Sequence, residues 1–354
     1  LICLTGWVGC IPLPPLLAFG TGAGHGAAGI VLSYAIFGLI LVVPAKWTWR
    51  LPVCCALLAV AYATPSGESQ RCAIASAAGL CVCIGMCTAG PYRESWGPWP
   101  WFFDLISKRL DGRTYFPGSH LRGALDQIAP GRVLYSVHPH GIFTAGWTWN
   151  MFWNSSFHEA AGRIGFLLDA NLRNNSPLFR LFLDWYEAPT RWAGAATKDV
   201  MKRSMERGET LALLPGGFQE ACICARGRDR VYIKKRAGFI KYCLQYGYRI
   251  VPAYSFGESD TYSTFSSLLG FRLWLASYNI PGVLFSGFPL CPILPYTGVS
   301  LLTYIGPPII LPTIEEPTSA DVDKWHAVYM EQLQALFERH KAEAGRPEAT
   351  LELW

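Results

Sequence analysis

Residues 1–45 contain no Asp, Glu, Lys or Arg, and as far as Gly90 the only charged side chains are Lys46, Arg50, Glu68 and Arg71. A stretch so poor in charge excludes an ordinary solvated N-terminal domain. The whole chain of 354 residues is 51% hydrophobic and only 16% charged, with a mean hydropathy of +0.22. Paired CxxC spacing is also lacking. Eight of the twelve cysteines (Cys3, Cys10, Cys54, Cys55, Cys72, Cys81, Cys83 and Cys87) sit among Ala and Gly in the apolar N-terminal part, where cysteine behaves as a small hydrophobe. Cys222, Cys224, Cys243 and Cys291 are scattered, which argues against a disulfide framework, and nothing points to an oxidising compartment. The GxSxG elbow of serine hydrolases occurs nowhere. "GHGAAG" at 24–29 fits GxGxxG, but an uncharged run follows it and the next charges are Lys46 and Arg50. The acidic residue that a dinucleotide site needs is therefore missing. No internal repeat or low-complexity segment is present.

What is there falls into two parts. Residues 27–43 and 73–90 are uncharged apolar runs near the lower end of the ~17–25 residues of a spanning helix, and 51–64 is a shorter run between them. A buried core helix is the alternative, but the near-absence of charge favours transmembrane helices. Residues 1–91 are therefore expected to form a hydrophobic membrane anchor. A hairpin of 51–64 and 73–90 would leave both basic flanks on the cytosolic side. In 94–110, Trp96, Trp99, Trp101, Phe102 and Phe103 precede Lys108 and Arg109, which reads either as an interfacial aromatic belt or as a Trp-rich domain edge. The chain begins with leucine, which points to a natural N-terminus further upstream.

From Tyr115 the pattern becomes that of an α/β domain. Residues 132–138, 210–216, 248–256 and 301–306 read as strands from their β-branched and aromatic content and the Gly or Pro that follows. Residues 195–208 and 237–247 read as helices closed by glycine. In 319–341, Val322, Trp325, Val328, Tyr329, Leu333, Leu336 and Phe337 recur at helical spacing. Strands alternating with helices predict a mixed or largely parallel sheet covered by helices.

Chemistry gathers where strands end. "YSVHPHGIFTAG" (135–146) closes one strand with His138, Pro139, His140 and Gly141. Pro139 keeps His138 extended, and residues two apart on an extended chain share a side, so both imidazoles are expected to face one cleft. They are packing residues, metal ligands or proton carriers. A metal would need a third ligand from Glu220, Cys222 or Cys224. "LPGGFQEA" (214–221) closes another strand, with Gly216 and Gly217 making a tight bend and Glu220 just beyond it. A carboxylate placed there can orient an imidazole and stabilise its charged form. Residues 226–241 add Arg226, Arg228, Arg230, Lys234, Lys235, Arg236 and Lys241, suited either to phosphate or to an anionic lipid surface.

These motifs together carry a resemblance. HPHG, "YFP" (115–117), the GG-x-x-E pattern at 216–220, R-x-GF-x-K at 236–241, VP-x-x-x-FG at 251–257, "GPPIILP" (306–312) and the helix at 322–341 resemble the type-2 family of acyl-CoA:diacylglycerol acyltransferases. That family includes the monoacylglycerol and wax-alcohol acyltransferases. The resemblance implies a lysophospholipid-acyltransferase-like mixed sheet over 92–354, an N-terminal transmembrane helical anchor, and residence in the endoplasmic reticulum membrane with the catalytic domain facing the cytosol. It implies acyl-CoA as co-substrate without a further cofactor, a neutral-lipid acceptor such as diacylglycerol, and no nucleic acid; oligomerisation stays open. It assigns the catalytic histidine to His140 and an acidic partner to Glu220, with His138 beside them. Pro139, Gly141, Gly216, Gly217, Lys235, Arg236, Gly238 and Phe239 are then expected to line the substrate site. The chemistry agrees, since an attacking alcohol needs a base of near-neutral pKa whereas a thiol, with a pKa of ~8.5, leaves readily. The HxxxxD pattern of related acyltransferases is absent: five residues after His138 stands Phe143, and after His140 stands Ala145. The family's Gly-Lys-Pro is here Gly306-Pro307-Pro308, so no role for its lysine transfers.

Overall fold

The computed structural model describes residues 50–63, 67–86, 115–123, 125–175, 183, 186–278, 282–289 and 294–354. The expected span at 27–43 and the Trp-rich segment at 94–110 lie outside the described residues. The chain forms two compact units, one of residues Leu1–Phe103 with Ala170–Glu187, the other of Asp104–Asp169 with Ala188–Trp354.

In the first unit, α1 (Arg50–Tyr62) and α2 (Glu68–Met86) pack side by side. Small residues permit the close approach: Ala61, Ala73 and Ala77 are buried, and the Cys81 thiol donates to the Cys54 carbonyl at 3.7 Å. No described helix is long and apolar enough to cross a membrane. The 13 residues of α1 rise only about 20 Å, short of a ~30 Å hydrocarbon core. The first turn of α2 is taken up by Glu68, Ser69, Gln70 and Arg71.

The second unit is built on a seven-stranded mixed sheet. Its strands are β1 (His120–Arg122), β2 (Val133–His138), β3 (Ile164–Leu168), β4 (Arg191–Ala195), β5 (Thr210–Leu213), β7 (Arg249–Phe256) and β10 (Leu302–Ile305). Their order is β1-β10-β7-β2-β5-β3-β4, all neighbours parallel except β10 with β7. Three of them, β1, β3 and β4, were not expected from the sequence; "IGFLL" and "RWAGA" are short, and a glycine interrupts each. Four further short strands pair apart from the main sheet: β6 (Asp229–Val231) with β11 (Leu351–Leu353), parallel, and β8 (Ser263–Thr264) with β9 (Phe285–Ser286), antiparallel.

β2 lies in the middle, between β7 and β5, and every one of its residues is buried. The period of two divides it cleanly. Tyr135 faces the side where Phe157 of α3 (Ser155–Ala161) meets it edge-on at 5.1 Å, and Trp147, Phe152 and Phe166 fill the same layer. Leu134, Ser136 and His138 face the other side.

That other side is covered by α4 (Lys198–Glu206), α6 (Gly238–Tyr246) and α8 (Ser319–His340), whose Met205, Ile240, Leu244, Leu333 and Phe337 join one apolar core with Leu134, Leu211 and Ile250. The expected helical stripe of α8 does pack here. Tyr329, Leu333, Leu336 and Phe337 are fully covered, whereas Val322, Trp325 and Val328 are partly so. A capping box starts α8, in which the Thr318 side chain accepts from the Asp321 N–H and Asp321 accepts from the Thr318 N–H. α6 ends at Gly247 in the left-handed conformation, φ 61°.

Candidate active site

β2 delivers His138 to the buried end of the strand, and the side-chain alternation that points Ser136 at α8 points His138 there too. Its Nδ1 lies 3.1 Å from Glu220 Oε1 and its Nε2 lies 3.0 Å from the Tyr329 hydroxyl. That hydroxyl is 2.6 Å from Ser136 Oγ. A carboxylate accepts, so Nδ1–H donates to Glu220, Nε2 accepts from Tyr329 O–H, and the Tyr329 oxygen accepts from Ser136. Burial pushes the Tyr329 phenol well above its ordinary range, which keeps it a donor. Phe239 of α6 meets the Tyr329 ring edge-on at 5.2 Å and fixes it. Expected as a substrate contact, Phe239 is instead a buried core residue that supports this network.

Glu220 belongs to α5 (Gly217–Ile223), the short helix that follows β5. Its carboxylate is buried and accepts three N–H groups, from the His138 ring, from the His140 backbone at 2.6 Å and from the Tyr232 backbone at 2.8 Å. The bend at Gly216 and Gly217 serves this directly. Gly217 is left-handed, φ 53°, and a Cβ on Gly216 would collide with the Glu220 carboxylate.

His140 stands outside the pleat, in the loop after β2, so the alternation that governs His138 does not extend to it. The two imidazoles therefore have different surroundings: His138 is buried with both ring nitrogens bonded, whereas His140 is half-buried. Contrary to expectation, the Glu220 side chain does not orient the His140 ring; it holds His140 by the main chain. The ring is oriented by its neighbour, with Nδ1–H donating to the Gly141 carbonyl at 3.0 Å. Nε2 makes no hydrogen bond to any described residue, so its lone pair is free for a reacting proton. Burial lowers the His140 pKa from 6.5, opposed by the Gly141 carbonyl and by the charges of Glu220 and Asp169.

A second carboxylate, unforeseen in the sequence, braces the loop from the other side. Glu258 follows Gly257 at the end of β7, is buried, and accepts from the Ala145 N–H at 2.9 Å and the Gly146 N–H at 2.5 Å. A Cβ on Gly141 would strike its carboxylate, and Gly141 itself is left-handed, φ 60°. Burial raises Glu258 to about 7, against the pull of the two N–H donors. In the sequence its one signal is an acid just past the strand read at 248–256; the pairing of that strand with β2 is visible only in the fold. Pro139 is buried between these contacts.

The seven cations at 226–241 separate. Arg226, Arg228 and Arg230 line one cavity, with Arg228 and Arg230 paired to Glu352 at 3.6 Å and 3.0 Å. Lys234, Lys235 and Gly238 are exposed at the start of α6. Arg236 turns towards α5 and bonds Gln219. Among the described residues no group of three His, Cys, Asp or Glu side chains is arranged to hold a metal ion; both nitrogens of His138 are committed, and Cys222 bonds the Arg272 carbonyl.

A helix-covered mixed sheet that presents a histidine past its central strand, with carboxylates on either side, is an arrangement suited to proton transfer. The chain belongs to the diacylglycerol acyltransferase family, whose model matches residues 110–353, and it is an acyltransferase of that family. It is 31% identical over 254 residues to diacylglycerol O-acyltransferase 2 of Danio rerio, covering 67% of this chain and 68% of that one. It is 29% identical over 273 residues to 2-acylglycerol O-acyltransferase 1 of Bos taurus (72% and 76%) and 27% over 278 residues to human diacylglycerol O-acyltransferase 2-like protein 6 (72% and 76%). Among solved structures, the 1-acyl-sn-glycerophosphate acyltransferase PlsC of Thermotoga maritima aligns over 90% of this chain and 94% of its own, with 11% identity and a TM-score of 0.38.

Proposed function

We propose that the protein transfers a fatty acyl group from acyl-CoA to the free hydroxyl of diacylglycerol, with His140 as general base. The observation that carries this reading is the His140 ring itself: Nδ1–H is held by the Gly141 carbonyl, and Nε2 is left unbonded with its pKa depressed by burial. Nε2 takes the proton of the acceptor hydroxyl as its oxygen attacks the thioester carbonyl. The tetrahedral adduct then collapses, the C–S bond breaks, and the proton passes from His140 to the departing thiolate. No covalent enzyme intermediate is needed. Glu220 and Glu258 hold the loop in place, the first through the His138 ring and the His140 N–H, the second through the Ala145 and Gly146 N–H groups. Lys234, Lys235 and Arg236, at the start of α6, are suited to the phosphates of coenzyme A. With 2-acylglycerol and diacylglycerol O-acyltransferases both among the relatives, monoacylglycerol is the second acceptor to test.

The reading also places the enzyme in the endoplasmic reticulum membrane with this domain on the cytosolic side. Membranes carrying the protein, given labelled acyl-CoA with diacylglycerol, monoacylglycerol or a long-chain alcohol in turn, identify the acceptor from the labelled product. Triacylglycerol formation that is lost in His140→Ala supports the proposal; a wax ester or diacylglycerol as main product overturns the acceptor. Cytosolic exposure predicts that the sequons at Asn154 and Asn174 stay unmodified, and a glycosidase-sensitive mobility shift traced to either would refute it.

A further inference from the structure

α7 (Leu269–Ser277) has one face anchored and one face bare. Inward, Arg272 and Ala276 are buried. The Arg272 guanidinium donates to the Gly282 and Cys222 carbonyls, both at 2.7 Å, and also to the Phe265 carbonyl. Cys222 lies on α5, two residues after Glu220, so α7 is bolted to the helix that braces the catalytic loop.

Outward, Leu268, Phe271, Trp274 and Tyr278 recur at helical spacing and are 69%, 55%, 54% and 63% exposed. Phe271 stacks on Trp274 at 5.7 Å, and Trp274 meets Tyr278 edge-on at 5.2 Å. Phe265 and Leu284, joined by a backbone hydrogen bond of 2.9 Å, extend the same patch. Elsewhere in this unit the only exposed large hydrophobic side chain among the described residues is Ile310. Apolar exposure so concentrated marks a contact surface.

Three observations say what it contacts. Trp, Tyr and Phe mixed with Leu is the composition of a helix lying in a membrane interface. A cavity of about 510 Å³, lined by Leu269 of α7 together with Arg226, Arg228, Arg230 and Trp354, puts cations at the edge of the apolar face, with Arg228 and Arg230 sharing the single carboxylate of Glu352. The patch also lies next in the chain to an aromatic cluster at the catalytic loop: Phe143, two residues past Gly141, meets Tyr262 at 5.5 Å and Phe285 at 5.2 Å, and Phe285 directly follows Leu284. A bilayer seated on this face would bring lipid close to that loop.

We propose that the face formed by Phe265, Leu268, Phe271, Trp274, Tyr278 and Leu284 docks the catalytic domain onto an anionic lipid bilayer, with Arg226, Arg228 and Arg230 at the level of the headgroup phosphates. The docking rests on the acyltransferase reading for its purpose, so its principal test does not depend on turnover. In the full chain, Trp274 is replaced by benzoylphenylalanine, with Lys324 on α8 replaced likewise as an exposed control. Each is irradiated in phosphatidylcholine vesicles with and without phosphatidylserine. Phospholipid adducts at 274 and none at 324 are expected, more abundant with phosphatidylserine and reduced in Arg226→Ala with Arg228→Ala. No lipid adduct at 274, or a crosslink to a second copy, overturns the proposal. Undiminished adducts with a raised acyl-CoA KM in the arginine variant would assign those arginines to coenzyme A and overturn the headgroup assignment. For function, Phe271→Ser with Trp274→Ser should lower turnover of bilayer-borne acceptor roughly tenfold, while turnover in detergent micelles is kept. Equal loss in both formats overturns the docking role. Absence of turnover in the parent chain would count against the acyltransferase reading and leave the crosslinking result standing.

Discussion

Glu220 and His140 are joined through the main chain: the His140 N–H donates to Oε1 at 2.6 Å, while the same carboxylate takes the ring N–H of His138. The carboxylate thereby sets where His140 stands, and the Gly141 carbonyl sets how its ring is turned.

Glu220→Gln keeps the shape but puts an NH2 where N–H donors converge. A buried donor left without an acceptor costs ~1–3 kcal/mol, and a loop displaced by about 1 Å loses on the order of 10²-fold in rate. We expect kcat to fall by that factor, together with a lower unfolding midpoint in detergent. A variant with full stability and full rate would remove Glu220 from the site.

The pH profile tests the base. His140 must be neutral to accept a proton, and burial lowers its pKa below 6.5, so kcat/KM should stay level down to that value and decline only beneath it. His140→Ala should lose ~10²–10⁴-fold and with it this limb of the profile. His138→Ala should act mainly on stability, because both its ring nitrogens face partners in the interior.

Tyr329→Phe keeps the ring against Phe239 and removes only the hydroxyl between Ser136 and His138. Two buried polar groups then lose a partner, at ~1–3 kcal/mol. Ser136→Ala in the same background should cost less than it does alone, because its partner is already gone. Strict additivity in that double-mutant cycle would argue against the chain from Ser136 to His138.

Glu258 gives the fold a pH dependence of known sign. Its carboxyl titrates at about 7 in the folded protein against an ordinary 4.5, so between those values the folded state holds a proton that the unfolded chain has released. Stability from this group is therefore present at low pH and falls as pH rises through the window, by up to ~1.4 kcal/mol per unit. Glu258→Gln removes this contribution, so the variant's unfolding midpoint should rise relative to the parent's across pH 4.5 to 7. A parent curve that rises through that window and is unchanged by the substitution would contradict the assignment.

Periodicity and turn chemistry already determine much of this protein. The strands ending at His138 and near Phe256, the helices closed by Gly208 and Gly247, and the apolar stripe of α8 are local patterns, because side-chain spacing repeats within a single element. HPHG and the Gly-Gly bend before Glu220 are likewise short-range signals, since proline and glycine act on the backbone where they stand. The tertiary structure alone decided which imidazole meets the carboxylate. His138 and Glu220 lie 82 positions apart and His138 and Tyr329 lie 191 apart, and such contacts depend on the order in which β5, β2 and β7 lie side by side. It also decided that Tyr329, one aromatic in a core stripe, has its hydroxyl spent on the site, and that Glu258 reaches across from the neighbouring strand. Phe239 went the other way, from expected contact to buried support. The alternation that reads His138 stops with its strand, and beyond it the position of His140 is set by hydrogen bonds from distant residues that no local pattern encodes.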